Sequence, residues 1–166
     1  DRFIPATDKA RAKERVGINP SHIVIGYHGR IGREKVLHTL YRAFRRLEKR
    51  FDHIKLPIVG KGISSHEILF SSDRNIIMAG AQNDIVPYLQ AMDVYVLPSL
   101  TETSSLSTME AMSCGLPVVV TPVGFLKEYI REKENGMFFP VKNSMVLAMK
   151  LENLLRNPEL AKKLSA

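Results

Sequence analysis

The chain has 166 residues, 45% of them hydrophobic and 25% charged, the composition of one soluble globular domain with its own core. No apolar run approaches the ~20 residues needed to cross a bilayer, no signal peptide opens the chain, and a lone Cys114 excludes an internal disulfide, so a reducing, cytoplasmic compartment is expected. The formal net charge of +7 suits solvated helix faces, an anionic substrate or peripheral contact with a membrane surface, whereas the absence of a zinc pattern and of an aromatic RNA-binding motif argues against nucleic acid.

The start, Asp1-Arg2-Phe3-Ile4-Pro5, has no initiator Met and is expected to lie inside a longer protein. Thr7 or Asp8 is placed to cap a short charged helix that runs to about Val16 and ends at Gly17. Ile23–His28 is an apolar run of strand length, stopped by Gly29-Arg30-Ile31-Gly32. From Glu34 to Arg50 the apolar residues Val36, Leu37, Leu40, Phe44 and Leu47 recur every three or four positions, which predicts an amphipathic helix. The alternation continues with strands at Lys55–Val59, Asn75–Ala79, Asp93–Leu97, Pro117–Thr121 and Met137–Phe139. Between and after them helices are expected at His66–Phe70, Asp84–Ala91, Ser104–Cys114, Leu126–Glu132, Ser144–Arg156 and Pro158–Leu164. Such alternation predicts one domain of α/β class, a Rossmann-like parallel sheet with helices on both faces, whose ligands bind outside the carboxyl ends of the strands.

Two segments at that edge carry candidate chemistry. In Gly29-Arg30-Ile31-Gly32-Arg33-Glu34-Lys35, glycines allow a tight strand-to-helix turn, and Arg30 with Lys35 offers two cations to a diphosphate. The bland alternative is two surface charges flanking a turn. In Pro98–Met112, Glu102 sits in the loop after a buried strand and Glu110 eight positions on in a helix, with hydroxyls crowded between them. A carboxylate beside Met109, Ala111 and Met112 needs a partner, and vicinal ribose hydroxyls would serve. The alternatives are a solvated loop residue for Glu102 and a surface glutamate or structural ion pair for Glu110. Asp93 and Cys114 read as structural, and His28 as a possible ligand contact.

These residues carry a resemblance. Gly29-Arg30-…-Lys35, Val59-Gly60-Lys61-Gly62, Met92–Ser99, the pair Glu102 and Glu110, Glu110-Ala111-Met112-Ser113-Cys114-Gly115-Leu116-Pro117-Val118-Val119, Pro122-Val123-Gly124, Glu128 and Asn135-Gly136 follow one another as in the C-terminal domain of glycosyltransferase family 4. The chain resembles that domain, one half of a GT-B fold, over roughly residues 20 to 140. The resemblance implies a retaining transfer of a hexose from a nucleotide-diphosphate sugar, UDP- or GDP-linked, to a lipid, polysaccharide or other hydroxyl acceptor. It implies that Arg30 and Lys35 grip the donor diphosphate, that Glu102 sits by the transferred sugar, and that Glu110 holds the ribose. It further implies that Ser104, Ser105 and Leu106 present backbone N–H groups to the sugar and β-phosphate, and that Gly29, Gly60 and Gly62 let the donor approach.

The acceptor site would lie on an N-terminal domain absent from this chain, so the isolated chain is expected to bind nucleotide without transferring sugar. No cofactor or metal is expected, because no Asp-x-Asp loop or histidine cluster is present. The sequence departs from the common pattern at Thr103-Ser104-Ser105, where Pro-Phe-Gly is frequent, at Val36, where Gly is common, and at Phe125, where a second Gly often stands. A sugar-nucleotide epimerase of GT-B type and a non-catalytic nucleotide- or lipid-binding module are the alternative readings.

Overall fold

The computed structural model describes residues 2–62 and 70–165. Its strands are β1 (Ile23–His28), β2 (Ile54–Val59), β3 (Ile76–Gly80), β4 (Val94–Leu97), β5 (Val118–Val120) and β6 (Met137–Phe138). They form one six-stranded parallel sheet in the order β3-β2-β1-β4-β5-β6. β4 and β5 contain no exposed residue, as strands covered on both faces must. The order reverses between β1 and β4, so connections leaving these neighbours diverge and open a crevice at their carboxyl ends.

Local chemistry sets the helix ends. In α1 (Lys9–Arg15), Asp8 accepts from the Arg11 N–H at 3.1 Å, and Gly17 takes a left-handed φ of 75° beyond it. α2 (Leu37–Leu47) buries Leu37, Leu40, Ala43, Phe44 and Leu47 on one stripe and packs against α6 (Ser144–Arg156). Asn143 caps α6 and Asn157 caps α7 (Pro158–Leu164), with Pro158 in the first turn of the latter. α3 (Val86–Ala91), which packs on α1, α4 (Leu106–Ser113) and α5 (Leu126–Tyr129) complete the described helices.

Several boundaries differ from the sequence expectation. The helix expected over Glu34–Arg50 is broken: Arg33–Lys35 form a 3-10 turn, Val36 adopts φ 49° and ψ 44°, and α2 starts only at Leu37. The cause is tertiary, since the Glu34 carbonyl accepts the Leu100 N–H at 2.7 Å instead of a helical one. The helix expected from Ser104 begins at Leu106, because Ser105 is left-handed at φ 51°. The helix expected to reach Glu132 stops at Tyr129, whose carbonyl receives the Asn135 amide while Asn135 accepts from the Arg131 N–H. The helix expected from Asp84 begins at Val86 with Ile85 at its N-cap, and Asp84, one residue outside, accepts from the Val86 N–H at 3.2 Å. The helix expected at His66–Phe70 falls largely on residues 66–69, which lie outside the described residues.

The charges of α1 also depart from a simple solvated face. Lys13 is buried and donates to the His22 carbonyl at 2.7 Å and to Asp93 at 2.8 Å, and Asp93 accepts the Val24 N–H as well. Lys9 donates to the Gln90 and Met92 carbonyls, and burial lowers its pKa. Asp93 is therefore structural, as read from its place at the head of β4.

Candidate functional site

The loops that leave β1 and β4 meet at the switch point, and the side chains they carry pair across it. Lys35, from the 3-10 turn after β1, donates to Glu102 in the loop after β4. The pair is largely enclosed, with 16% of the lysine and 10% of the glutamate side chain exposed. Glu102 is thus no solvated loop residue. Ser99 donates a second hydrogen bond to the same carboxylate oxygen at 2.6 Å, and Thr121, at the end of β5, donates to the Ser99 carbonyl at 2.6 Å. Each strand end thereby braces the next.

The loop around Glu102 is held from the far side by Gly124. With φ at 54°, this residue brings its Cα so close that a Cβ would stand 1.9 Å from the Glu102 carbonyl oxygen. Phe125 follows, and its N–H donates to the Thr103 carbonyl at 2.9 Å while the residue is 60% exposed, outside the core.

Glu110 finds its partner elsewhere. His28, the last residue of β1, places Nε2 2.8 Å from Glu110 Oε2, with both side chains mostly buried. Tyr95, fully buried in β4, donates to the His28 carbonyl at 3.1 Å and lies 2.9 Å from the Ser107 hydroxyl in the first turn of α4. Burial raises the pKa of this phenol and keeps it protonated.

Arg30 behaves differently from Lys35. Its side chain is 73% exposed and pairs with Glu34 four residues on, and its carbonyl accepts from the Tyr27 hydroxyl at 2.6 Å. The four charged groups share one edge but do not form one cluster: Lys35 meets Glu102, Glu110 meets His28, and Arg30 meets Glu34.

The glycine turns after β1 and β2 lie against one another. The Gly29 N–H donates to the Val59 carbonyl and the Ile31 N–H to the Lys61 carbonyl. A Cβ on Gly60 would sit 1.9 Å from the Gly29 oxygen, and one on Gly62 1.7 Å from the Ile31 oxygen. These glycines are required by loop-on-loop packing, a reason separate from ligand approach. At the start of α4, Ser104 offers its carbonyl to the Tyr129 hydroxyl at 2.8 Å. Ser105 shares a 2.8 Å hydrogen bond with Thr108 through their hydroxyls, and Leu106 is 68% exposed. The Thr108 N–H already donates to the Ser105 carbonyl at 3.1 Å, while the N–H groups of Leu106 and Ser107 precede the first helical acceptor and suit an anion.

The sequence places the two glutamates and Lys35 at this edge and sets the cations facing the carboxylates, but it does not show Ser99, Thr121 or His28 as partners. Ser99 and Thr121 each follow a strand end by one or two residues, a position at which a hydroxyl is a usable signal. Nothing local in the sequence tied His28 to Glu110, 82 residues away. Cys114 is core, and burial pushes its thiol pKa up. Surface cavities of about 440 and 540 Å3 lie away from the crevice, one beside Ile4 and Arg11, the other beside Tyr41 and Asn75.

A doubly wound parallel sheet with charged loops paired over its switch point defines a Rossmann-like domain whose candidate site lies between the first and fourth strands. Residues 8–166 match the family described as glycosyl transferases group 1, and the chain belongs to that family. It is 28% identical to a D-inositol 3-phosphate glycosyltransferase of Streptomyces bingchenggensis, over all of this chain and 40% of that protein. It is 25% identical to the putative glycosyltransferase EpsD of Bacillus subtilis, over 99% of this chain and 45% of the relative. The chain thus spans less than half the length of these curated relatives.

Among solved structures, the C-terminal domain of a glycosyl transferase group 1 family protein from Francisella tularensis superposes with a TM-score of 0.88 at 26% identity, covering 99% of this chain and 90% of that one. The sucrose-phosphate synthase of Thermosynechococcus elongatus gives 0.86 at 26% identity, covering 98% of this chain and 43% of the synthase. Anabaena HepE in complex with UDP and glucose shares the fold at 0.86 with 19% identity, over 99% of this chain and 47% of HepE.

Proposed function

We propose that this chain is the donor-binding half of a retaining glycosyltransferase of family 4, which transfers a hexose from a nucleotide-diphosphate sugar to a hydroxyl acceptor held by an N-terminal domain. The observation that carries the reading is the enclosed Lys35–Glu102 pair beside the first turn of α4, with Glu110 further along the same helix. In that order a diphosphate would lie over Lys35 and the helix start, the sugar would approach Glu102, and the ribose would reach Glu110. HepE, solved with UDP and glucose, is a protein of the same fold.

The chemical task is to break a sugar–phosphate bond while negative charge gathers on the leaving diphosphate. Preorganised cations and N–H donors aimed at that phosphate give the largest help a protein has to offer. Lys35 is fixed in advance by Glu102. Arg30 is held only by an exposed pair with Glu34 that is worth little in water, so a diphosphate would draw it across at small cost. Glu102, with one oxygen taken by Lys35 and Ser99, serves best as a ligand of sugar hydroxyls with electrostatic support for the positive anomeric carbon. The residues at this edge supply charge without a metal, and the work is taken to be cytoplasmic, at the membrane face where the acceptor is a lipid.

The test is a thermal-shift and calorimetric series with UDP, GDP, ADP and their sugars. A ligand that binds only the folded chain raises its stability by RT ln(1 + [L]/Kd). One nucleoside diphosphate should bind and its sugar conjugate should bind in competition with it. A chain that binds none of them, or that prefers anionic vesicles to all of them, overturns the reading in favour of a lipid-binding module.

A further inference from the structure

We propose that His28 is a positioning residue for Glu110, fixing the carboxylate so that its second oxygen receives the vicinal hydroxyls of a ribonucleotide. The inference rests on the donor-binding reading above and assigns a role within it to a side chain outside the paired-glutamate motif.

Glu110 stands in α4 between Met109 and Ala111, with 17% of its side chain exposed. A carboxylate so enclosed needs a donor. The described residues give one, His28 Nε2, on Oε2 only. A carboxylate oxygen accepts and cannot donate, so Nε2 carries the hydrogen, and Oε1 keeps its acceptor capacity.

The backbone that carries the ring is itself anchored. The His28 carbonyl is held by the Tyr95 hydroxyl, which also contacts Ser107 one turn before Glu110 on the same helix. Backbone and side chain of His28 are thus referenced to α4 through two separate links. Two neighbouring hydroxyls engage one carboxylate well only if its plane is set beforehand, which is what a second hydrogen bond to the far oxygen achieves. A merely structural His–Glu pair would hold the helix without affecting which sugar the nucleotide carries.

That difference sets the experiment. The nucleoside diphosphate among UDP, GDP and ADP that binds the chain most tightly is titrated beside its 2′-deoxy analogue, against wild type, His28→Leu, His28→Asn and His28→Gln. Wild type should prefer the ribonucleotide by roughly 10-fold or more, the value of a hydrogen bond to a charged acceptor. His28→Leu, and His28→Asn whose amide is too short to reach, should reduce that preference to within ~3-fold. His28→Gln, whose amide nitrogen occupies nearly the place of Nε2, should restore it. Melting temperatures identify variants that fold, and the polar Asn variant carries the test if Leu does not.

A preference retained in His28→Leu or His28→Asn overturns the role of His28. Wild type that binds without distinguishing ribose from deoxyribose overturns it too, while leaving the diphosphate half of the donor reading intact. Wild type that binds no nucleoside diphosphate removes that reading and this inference together.

Discussion

Two ion pairs leave the same strand end within five residues, and they are unlike in every physical respect. Lys35–Glu102 joins two loops across the sheet's switch point, is almost enclosed, and is braced by Ser99 and Thr121. Arg30–Glu34 is local, spans four residues, and has 73% of the arginine in water. Sequence presents Arg30 and Lys35 as an equivalent basic pair. The fold makes one of them an enclosed element of the crevice wall and the other an exposed charge paired only locally.

The contrast is broken most severely at Lys35. Lys35→Met leaves a mostly buried carboxylate with one hydroxyl donor, and unfolding free energy in urea should fall by about 3 kcal/mol. Adding Glu102→Gln should return most of that loss, because the stranded charge goes with it. If the double variant is as unstable as the single one, the pair is not the unit described here.

A smaller loss, about 2 kcal/mol in the same assay, is expected for Gly124→Ala, which combines a left-handed backbone with a Cβ driven into the Glu102 carbonyl. With Glu102's loop shortened, only the part due to the left-handed backbone, about 1 kcal/mol, should remain, which separates loop displacement from backbone strain. Arg30→Ala sharpens the contrast from the other side: stability should change by less than ~0.5 kcal/mol. Under the proposed function, nucleoside diphosphate affinity in that variant should nevertheless fall ~10-fold, read by calorimetry.

The smallest expected effect lies outside the crevice. His22, stacked on His53 at 5.5 Å, has its pKa lowered from the ordinary 6.5, first by burial and then by Lys55, His53 and Lys13. The unfolded chain therefore takes up the proton before the folded one does. Stability should be constant above the unfolded pKa and decline as pH falls below about 6.5. Melting temperatures between neutral pH and mild acid should show this slope, and His22→Gln should flatten it.

What the sequence disclosed follows from what is local. Strand-length apolar runs and a helical stripe such as Leu37, Leu40, Phe44 and Leu47 are written in short windows, so the α/β class and element order are legible there. The crevice was legible through Glu102, Glu110 and Lys35 because their loops follow strand ends. The break at Val36 was not, since it depends on Leu100, 64 positions later, taking the Glu34 carbonyl. For the same reason the inward turn of Lys9 and Lys13 was hidden: a lysine's carbonyl partners, such as Met92 and His22, leave no periodic trace. Long-range polar pairing, including His28 with Glu110, is the information that a single chain does not print.

Val36 gives the Lys35 turn a hard end-point. A β-branched residue held at φ 49° sits in a region it avoids by about 1–3 kcal/mol, and its full packing into the core, at 2% exposure, together with the Leu100 N–H on the Glu34 carbonyl keeps it there. The joint works as a stop: the ammonium just before it rotates through its own side-chain torsions but cannot be carried away by its backbone. Under the proposed function, a diphosphate would draw the guanidinium inward from the rim, toward an ammonium that already stands in place.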